Sequence, residues 1–569
     1  MSGRAFLCVL LSLAAFSSGC QEQSGGSPGT RTGGAGGGGS GSGGAGDGGS
    51  SAGGPPAAVC GSSKLSAPML RRLTAREMRS SLEDVFPEVS TQWSSELSPD
   101  SSSQFGFDND ARSLVVGKQT ALELFDTASN VGSAVSAALA SVLPCSTTAP
   151  DRSCAAAFVD KYGKRLFRRP LSSDEHDRYL TFFDLALGKT DFKTAIGWVT
   201  RALIQSPATV YRSEIGTASG SSYTLSPYEL VTELSYTFAG TTPSDAALAA
   251  ADAGQVASAE SRVSGAKALL QSSSNEVLQR FFASWIGYGA VLGMTKTNVP
   301  AFADLGAGHG LRDDMVQETR NFLQQVVVAQ KGGPRELLTA PTTNPSAALA
   351  SFYGSNPGAP AFPTPAAEWA SITRPAGAAI GLLAQGSVLS ALSRPDGSSP
   401  TKRGLLVFTR LLCREKPKVP DVVPPLAPAT GKVVTTRDRY EIGHANGFCL
   451  DCHKKFDPIG FGFEQFDEVG RYRATDNGAP VNTVSSVPNG DLRAPLFSFM
   501  DLNELARGLA NQDEVYSCAS GYLTTYAFGV PDECLGETRR AEFLGGNLGF
   551  LDYFASLAAE PDFERRVLP

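Results

Sequence analysis

Histidine and tryptophan are the scarcest residues in this chain, four of each in 569, with only six methionines. So few histidines leave little material for multi-histidine metal centres or long acid–base relays. A histidine set in a chemical motif therefore carries more weight. A basic excess is also missing. Lys and Arg number 49 against 56 Asp and Glu, for a net charge of −7 and a pI near 5.4. That balance gives no electrostatic reason to bind nucleic acid. Beyond the N-terminus, no stretch reaches the ~18–20 consecutive apolar residues of a membrane span. What is present suits a soluble globular body: 41% hydrophobic and 9% aromatic residues, over a length that predicts two to four domains. Ten cysteines are many for a reducing compartment and point to export.

The first residues agree with export. Arg4 precedes a short apolar run from Ala5 to Phe16, too short to span a bilayer, followed by Ser17-Ser18-Gly19-Cys20. The pattern resembles a lipoprotein signal, with lipidation of Cys20 and loss of 1–19, although Ser17 stands where that signal prefers Leu. An ordinary cleaved secretory signal is the alternative. Ser24 to Ala58 is nearly all Gly, Ser, Ala and Pro, a flexible tether whose ~35 residues reach roughly 30–35 Å. The expected protein is exported and held by an N-terminal lipid on the periplasmic or cell-surface side of a membrane.

Helical periodicity dominates the body. Thr74 with Glu77, Ser172 with Glu175 and Ser226 with Glu229 have capping-box spacing, the last with Pro227 at the first helical position. Arg71, Arg72 and Arg76 read as a solvated helix face, Gly132 as a soft point in a helical region over 111–143, and Tyr179, Phe182, Phe183 and Leu187 as a buried stripe. His176, among acidic residues, reads as surface. The Gly306–Gly310 loop around His309 lacks the strand and spacing of a phosphate-binding fingerprint. Strand signals are few, so the fold class is mainly α. Boundaries fall at 1–19, 20–60, 61–150, 151–216, 217–395, 396–476 and 477–569, where 396–476 holds a Pro-rich strap and a small c-type-haem-like module near the C-terminus. Cys145 pairs with Cys154 across a Ser/Thr/Pro loop, Cys518 with Cys534 across a helix, and Cys60 with Cys413 by default.

One stretch carries distinctive chemistry. Phe448-Cys449-Leu450-Asp451-Cys452-His453 contains Cys-x-x-Cys-His, the attachment signature of c-type haem. Two thiols three residues apart add to the two vinyl groups of one porphyrin, and the adjacent imidazole becomes an axial iron ligand. At this composition, chance yields roughly one such match per thousand chains. A Cys449–Cys452 redox disulfide and a zinc corner completed by His444 compete with it, as does coincidence. Asp457-Pro458 reads as the N-cap and first residue of a short helix. Phe456, Ile459, Phe461, Phe463 and Phe466 form either a porphyrin wall or ordinary core. Arg471 and Arg473 are candidates for the haem propionates. Asp457, Glu464 and Asp467 read as capping and turn residues, not as a hydrolase pair. Met500 leads as sixth iron ligand, with His444 as the alternative; Met294, Met315 and His309 are also available.

Several blocks together resemble one family: LRRLTAREMRSSLEDVF, FRRPLSSDE, LSPYELVTELSYTF, ETRNFL, GLLAQGSVLSALSRPDGSSPTKRG and CLDCHKKFDPIGFGFEQFDEVGRYR. Their order is that of a large family of exported bacterial proteins built from five consecutive domains of unknown function. Members often carry cytochrome-c-type motifs, here in the fourth domain. The resemblance implies export and one covalent haem c but no established reaction. The functional expectation is electron transfer, or the redox subunit of an oxidoreductase, with an unidentified redox partner protein. The alternative is a non-catalytic envelope lipoprotein in which the Cys-x-x-Cys-His corner is a disulfide or structural metal clip.

Overall fold

A computed structural model describes residues 70–567, apart from 103–105, 273–275, 298, 300–301, 303–309, 419–425, 427–430, 432–433, 491, 530–536 and 547. The signal segment, Cys20, the tether, Cys60, His309, Cys534 and most of the Pro-rich strap lie outside the described residues. The chain divides into two units, Met1–Pro55 and Pro56–Pro569, and the description below concerns the second.

All three capping boxes form. The Thr74, Ser172 and Ser226 hydroxyls accept from the N3 backbone of helices Ala75–Val85, Ser173–Leu187 and Pro227–Phe238, and the N3 glutamates return the bond. The fold is mainly α, and no described strand exceeds five residues. Strands pair in small antiparallel sets. The last one, Arg565–Val567, joins Ser222–Thr224 in the register Arg566↔Tyr223 and returns the end of the chain to its middle. No helix among the described residues is long and apolar enough to cross a membrane.

Two large hydrophobic cores organise the described body. One is built from residues 73–210 with Tyr236. The other combines Phe107 with residues from Leu225 to Phe563, including Phe456, Ile459 and Phe463 just after His453. A smaller cluster gathers Val291, Met315, Leu349, Tyr353 and Val469. Gly132 is a close crossing between helices Lys118–Ala137 and Phe192–Ile204, not a soft point. A Cβ there would meet the Gly197 carbonyl oxygen at 2.6 Å.

Several local expectations change because distant segments supply the partners. Arg71 and Arg72 do not face solvent. They form a strand paired with Tyr211–Arg212 and are buried, with Arg71 near Glu214 (3.4 Å) and Arg72 against Asp100. In helix Ser173–Leu187 the buried positions are Leu180, Phe183 and Ala186, and Leu187 is exposed. Cys145–Cys154 is a disulfide as expected. Cys518, by contrast, bonds Cys413 and not Cys534, which also removes the Cys60–Cys413 default. The bond spans 105 residues because helix Asp513–Phe528 packs against the end of the segment following Pro400–Leu406.

Candidate functional site

The site rests on a backbone crossing. Helices Pro400–Leu406 and Asp457–Phe461 touch without intervening side chains. A Cβ on Gly404 would lie 1.9 Å from the Phe456 carbonyl oxygen, and one on Gly460 would lie 1.9 Å from that of Pro400. Only glycine permits that approach. It sets Thr401 directly over Asp457, so that the hydroxyl donates to Oδ1 at 2.6 Å.

Asp457 is not the predicted N-cap. Phe456 occupies that position without a side-chain cap, and Asp457 is the first helical residue. Its buried carboxylate is engaged elsewhere. Oδ2 accepts from Nδ1 of His444 at 2.6 Å and from Nδ1 of His453 at 3.0 Å. Burial pushes this carboxyl up, but the hydrogen bonds from His444, His453 and Thr401 overcome it and hold the group below its ordinary range. His444 caps the C-terminal end of helix Thr436–Gly443, and His453 ends helix Gly447–His453. The two rings stack with centroids 3.5 Å apart and planes at 26°. Tyr440 meets His444 edge-on, and Phe456 lies 5.1 Å from His453. Oδ2 is an acceptor, so each Nδ1 that bonds it carries a proton. No hydrogen bond among the described residues reaches Nε2 of His453.

Cys449 and Cys452 lie on the His453 helix, half-buried and free; the remaining described cysteines form the two disulfides. The helix has no buried residue, and Phe448 and Leu450 beside the thiols are 60% and 40% exposed. On the preceding helix Ile442 is exposed as well. Paired thiols, an imidazole with a free Nε2 and uncovered apolar side chains fit covalent haem attachment at this helix.

Other expected contributors lie elsewhere. The supposed porphyrin wall is core: Phe456, Ile459, Phe461, Phe463 and Phe466 are all buried. Arg471 and Arg473, candidates for the propionates or else solvated arginines, both hold carboxylates. Arg471 Nε donates to Asp467 at 2.9 Å while its guanidinium lies over Phe352. Arg473 pairs with Glu464 at 2.7 Å and Asp476 at 3.0 Å. Asp467 accepts from the Val469 and Arg471 backbone, the turn role read from sequence. The fully buried Arg403 donates to the Phe463, Phe466 and Asp467 carbonyls, fixing the segment behind the site. His444 lies against the flank of His453, and both rings meet Asp457 Oδ2. Met500 is 61% exposed, with its backbone bonded to Thr483 and Glu504. Met315 is buried in the small cluster and Met294 packs against it. His176 is partly exposed near Asp160 and Asp177. Sequence spacing does not single out Thr401, because its block, 56 residues before Asp457, meets that residue only through tertiary packing.

Four family models match successive segments: PSD3 (Protein of unknown function, DUF1587) at 71–137, PSD5 (DUF1595) at 154–214, PSD4 (DUF1592) at 225–355 and PSCyt3 (DUF1588) at 380–476. The chain carries four consecutive domains of the PSD/PSCyt type. Their order is that of the sequence blocks, four of the five domains that the resemblance implied. The PSCyt3 segment contains Thr401, His444, Cys449, Cys452, His453 and Asp457, so the site lies inside one family domain. No curated protein and no solved structure matches the chain.

Proposed function

We propose that this is an exported c-type haem protein that transfers electrons, alone or as the redox subunit of an oxidoreductase, with Cys449 and Cys452 as attachment points and His453 as axial ligand. The observation that carries the reading is the free thiol pair on the same helix as an imidazole whose Nδ1 is anchored on Asp457, Cys449 one turn before it and Cys452 next to it. A bound haem supplies one-electron redox chemistry. The protein's part is to present both thiols on one helix, fix the His453 tautomer and keep the apolar side chains of Phe448 and Leu450 at the surface for the macrocycle. Anchoring through Cys20 belongs to the same proposal and rests on the sequence alone.

Production with a c-haem maturation system tests it. A pyridine haemochrome band and a haem mass adduct are expected in the parent chain, both lost in Cys449→Ala. A colourless protein with unmodified thiols refutes the assignment. A second reading has one specific observation in its favour: ligand atoms of His444, His453 and Asp457 all lie within 4.8 Å of one another, as a structural divalent-metal clip requires. Stoichiometric zinc in colourless protein selects that reading.

A further inference from the structure

Among the described residues Asp457 is the only acidic group touching His453, and its Oδ2 receives two imidazoles at once. Most metal-bound histidines anchor their second ring nitrogen on a carboxylate, carbonyl or water, and that partner sets how strongly the ring donates to the metal. A carboxylate is a stronger acceptor than a neutral group because its hydrogen bonds are charge-assisted. Here the acceptor is shared, and the His444 bond is the shorter of the two, 2.6 Å against 3.0 Å. Thr401 donates to the other oxygen at 2.6 Å and holds the carboxylate in the orientation that presents Oδ2 to both imidazoles. The Gly404/Gly460 crossing fixes Thr401 in that place.

Resting on the haem reading above, we infer that Asp457 and His444 are a positioning pair that sets the reduction potential of an iron bound at His453, and that they act with opposite signs. Asp457 draws on the Nδ1 proton of His453, makes Nε2 the better donor and favours the oxidised iron. His444 competes for the same oxygen and weakens that pull. Neither residue meets the iron. The competition is in the geometry: two imidazole donors meet one carboxylate oxygen, and the Thr401 hydroxyl, bonded to the other oxygen, lies farther from His453 Nδ1 at 3.4 Å.

The test is a spectroelectrochemical titration of matured protein, comparing the parent chain with Asp457→Asn and His444→Phe. Asparagine keeps an acceptor of similar shape but loses the charge. The midpoint is expected to rise by at least a tenfold change in the reduction equilibrium, about 59 mV for one electron. Phenylalanine keeps the stacked ring but removes the competing donor, so the midpoint is expected to fall. Asp457→Glu should recover most of the Asp457→Asn shift. A purely structural role moves both variants in one direction or neither. Unchanged or same-signed midpoints in haem-loaded protein overturn the pair while leaving haem attachment standing. If Asp457→Asn does not accumulate, the fall in His444→Phe alone decides. Absence of haem from the parent chain overturns both the attachment and this inference.

Discussion

Glu214 and Asp457 are both buried carboxylates that gather side chains from distant segments, but Glu214 meets arginines and Asp457 meets imidazoles. Around Glu214, Arg566 Nε donates at 2.6 Å and Arg71 lies at 3.4 Å. Arg212 joins through Glu233 at 2.7 Å. A guanidinium has donors only and does not lose its proton, so these arginines offer a metal ion no lone pair. It ties the first described strand to the last. Around Asp457 each imidazole spends one nitrogen on the carboxylate and keeps the other, and two thiols stand on the same helix as His453. The depth of burial is similar. The partner's chemistry decides whether a buried acid is a rivet or leaves free nitrogens beside it for a ligand.

The sharpest way to break this contrast is Glu214→Gln. It leaves Arg71 and Arg566 buried beside a neutral group and should cost about 3–5 kcal/mol in denaturant unfolding, with the visible spectrum of matured protein unchanged. A spectral change would mean the two hubs are coupled.

Acid separates them next. Burial pushes Glu214 up, but Arg71 and Arg566 overcome it and bring its carboxyl to about 2, below the ordinary 4.5. A carboxyl depressed in the folded state contributes stability that is fully present above its unfolded pKa and lost as pH falls through the folded value. Unfolding free energy should therefore drop between about pH 4.5 and 2, by an amount on the order of 3 kcal/mol from this group. Glu214→Gln should flatten that part of the profile; an unaltered slope would show that Glu214 does not contribute.

A smaller effect is expected from Gly404→Ala. The new Cβ collides with the Phe456 carbonyl and forces helices Pro400–Leu406 and Asp457–Phe461 apart, at about 1–3 kcal/mol. Because the crossing seats Thr401 on Asp457, the variant should also shift the haem spectrum, which Glu214→Gln should not. Calorimetry and the visible spectrum of the same preparation check both halves.

Short-range chemistry was legible in the chain. Thr74/Glu77, Ser172/Glu175 and Ser226/Glu229 cap their helices because a capping box needs only residues three apart. Cys449, Cys452 and His453 share a helix for the same reason of spacing, and Asp467 closes a turn on its own neighbours. Sequence therefore determined the mainly α class, the domain order and the thiol–imidazole triplet. Only the tertiary structure decided where long side chains find partners. It gave Cys518 to Cys413, took Arg71 and Arg72 into a buried network and committed Arg471 and Arg473 to acids. It also converted Asp457 from a cap into the acceptor for two histidines. Capping and helical period are set by backbone bonds within a few residues, whereas ion pairs and disulfides depend on which segments packing brings within about 3–4 Å. For Asp457 that packing is the contact of Gly404 and Gly460, two residues whose missing side chains seat Thr401 on its carboxylate.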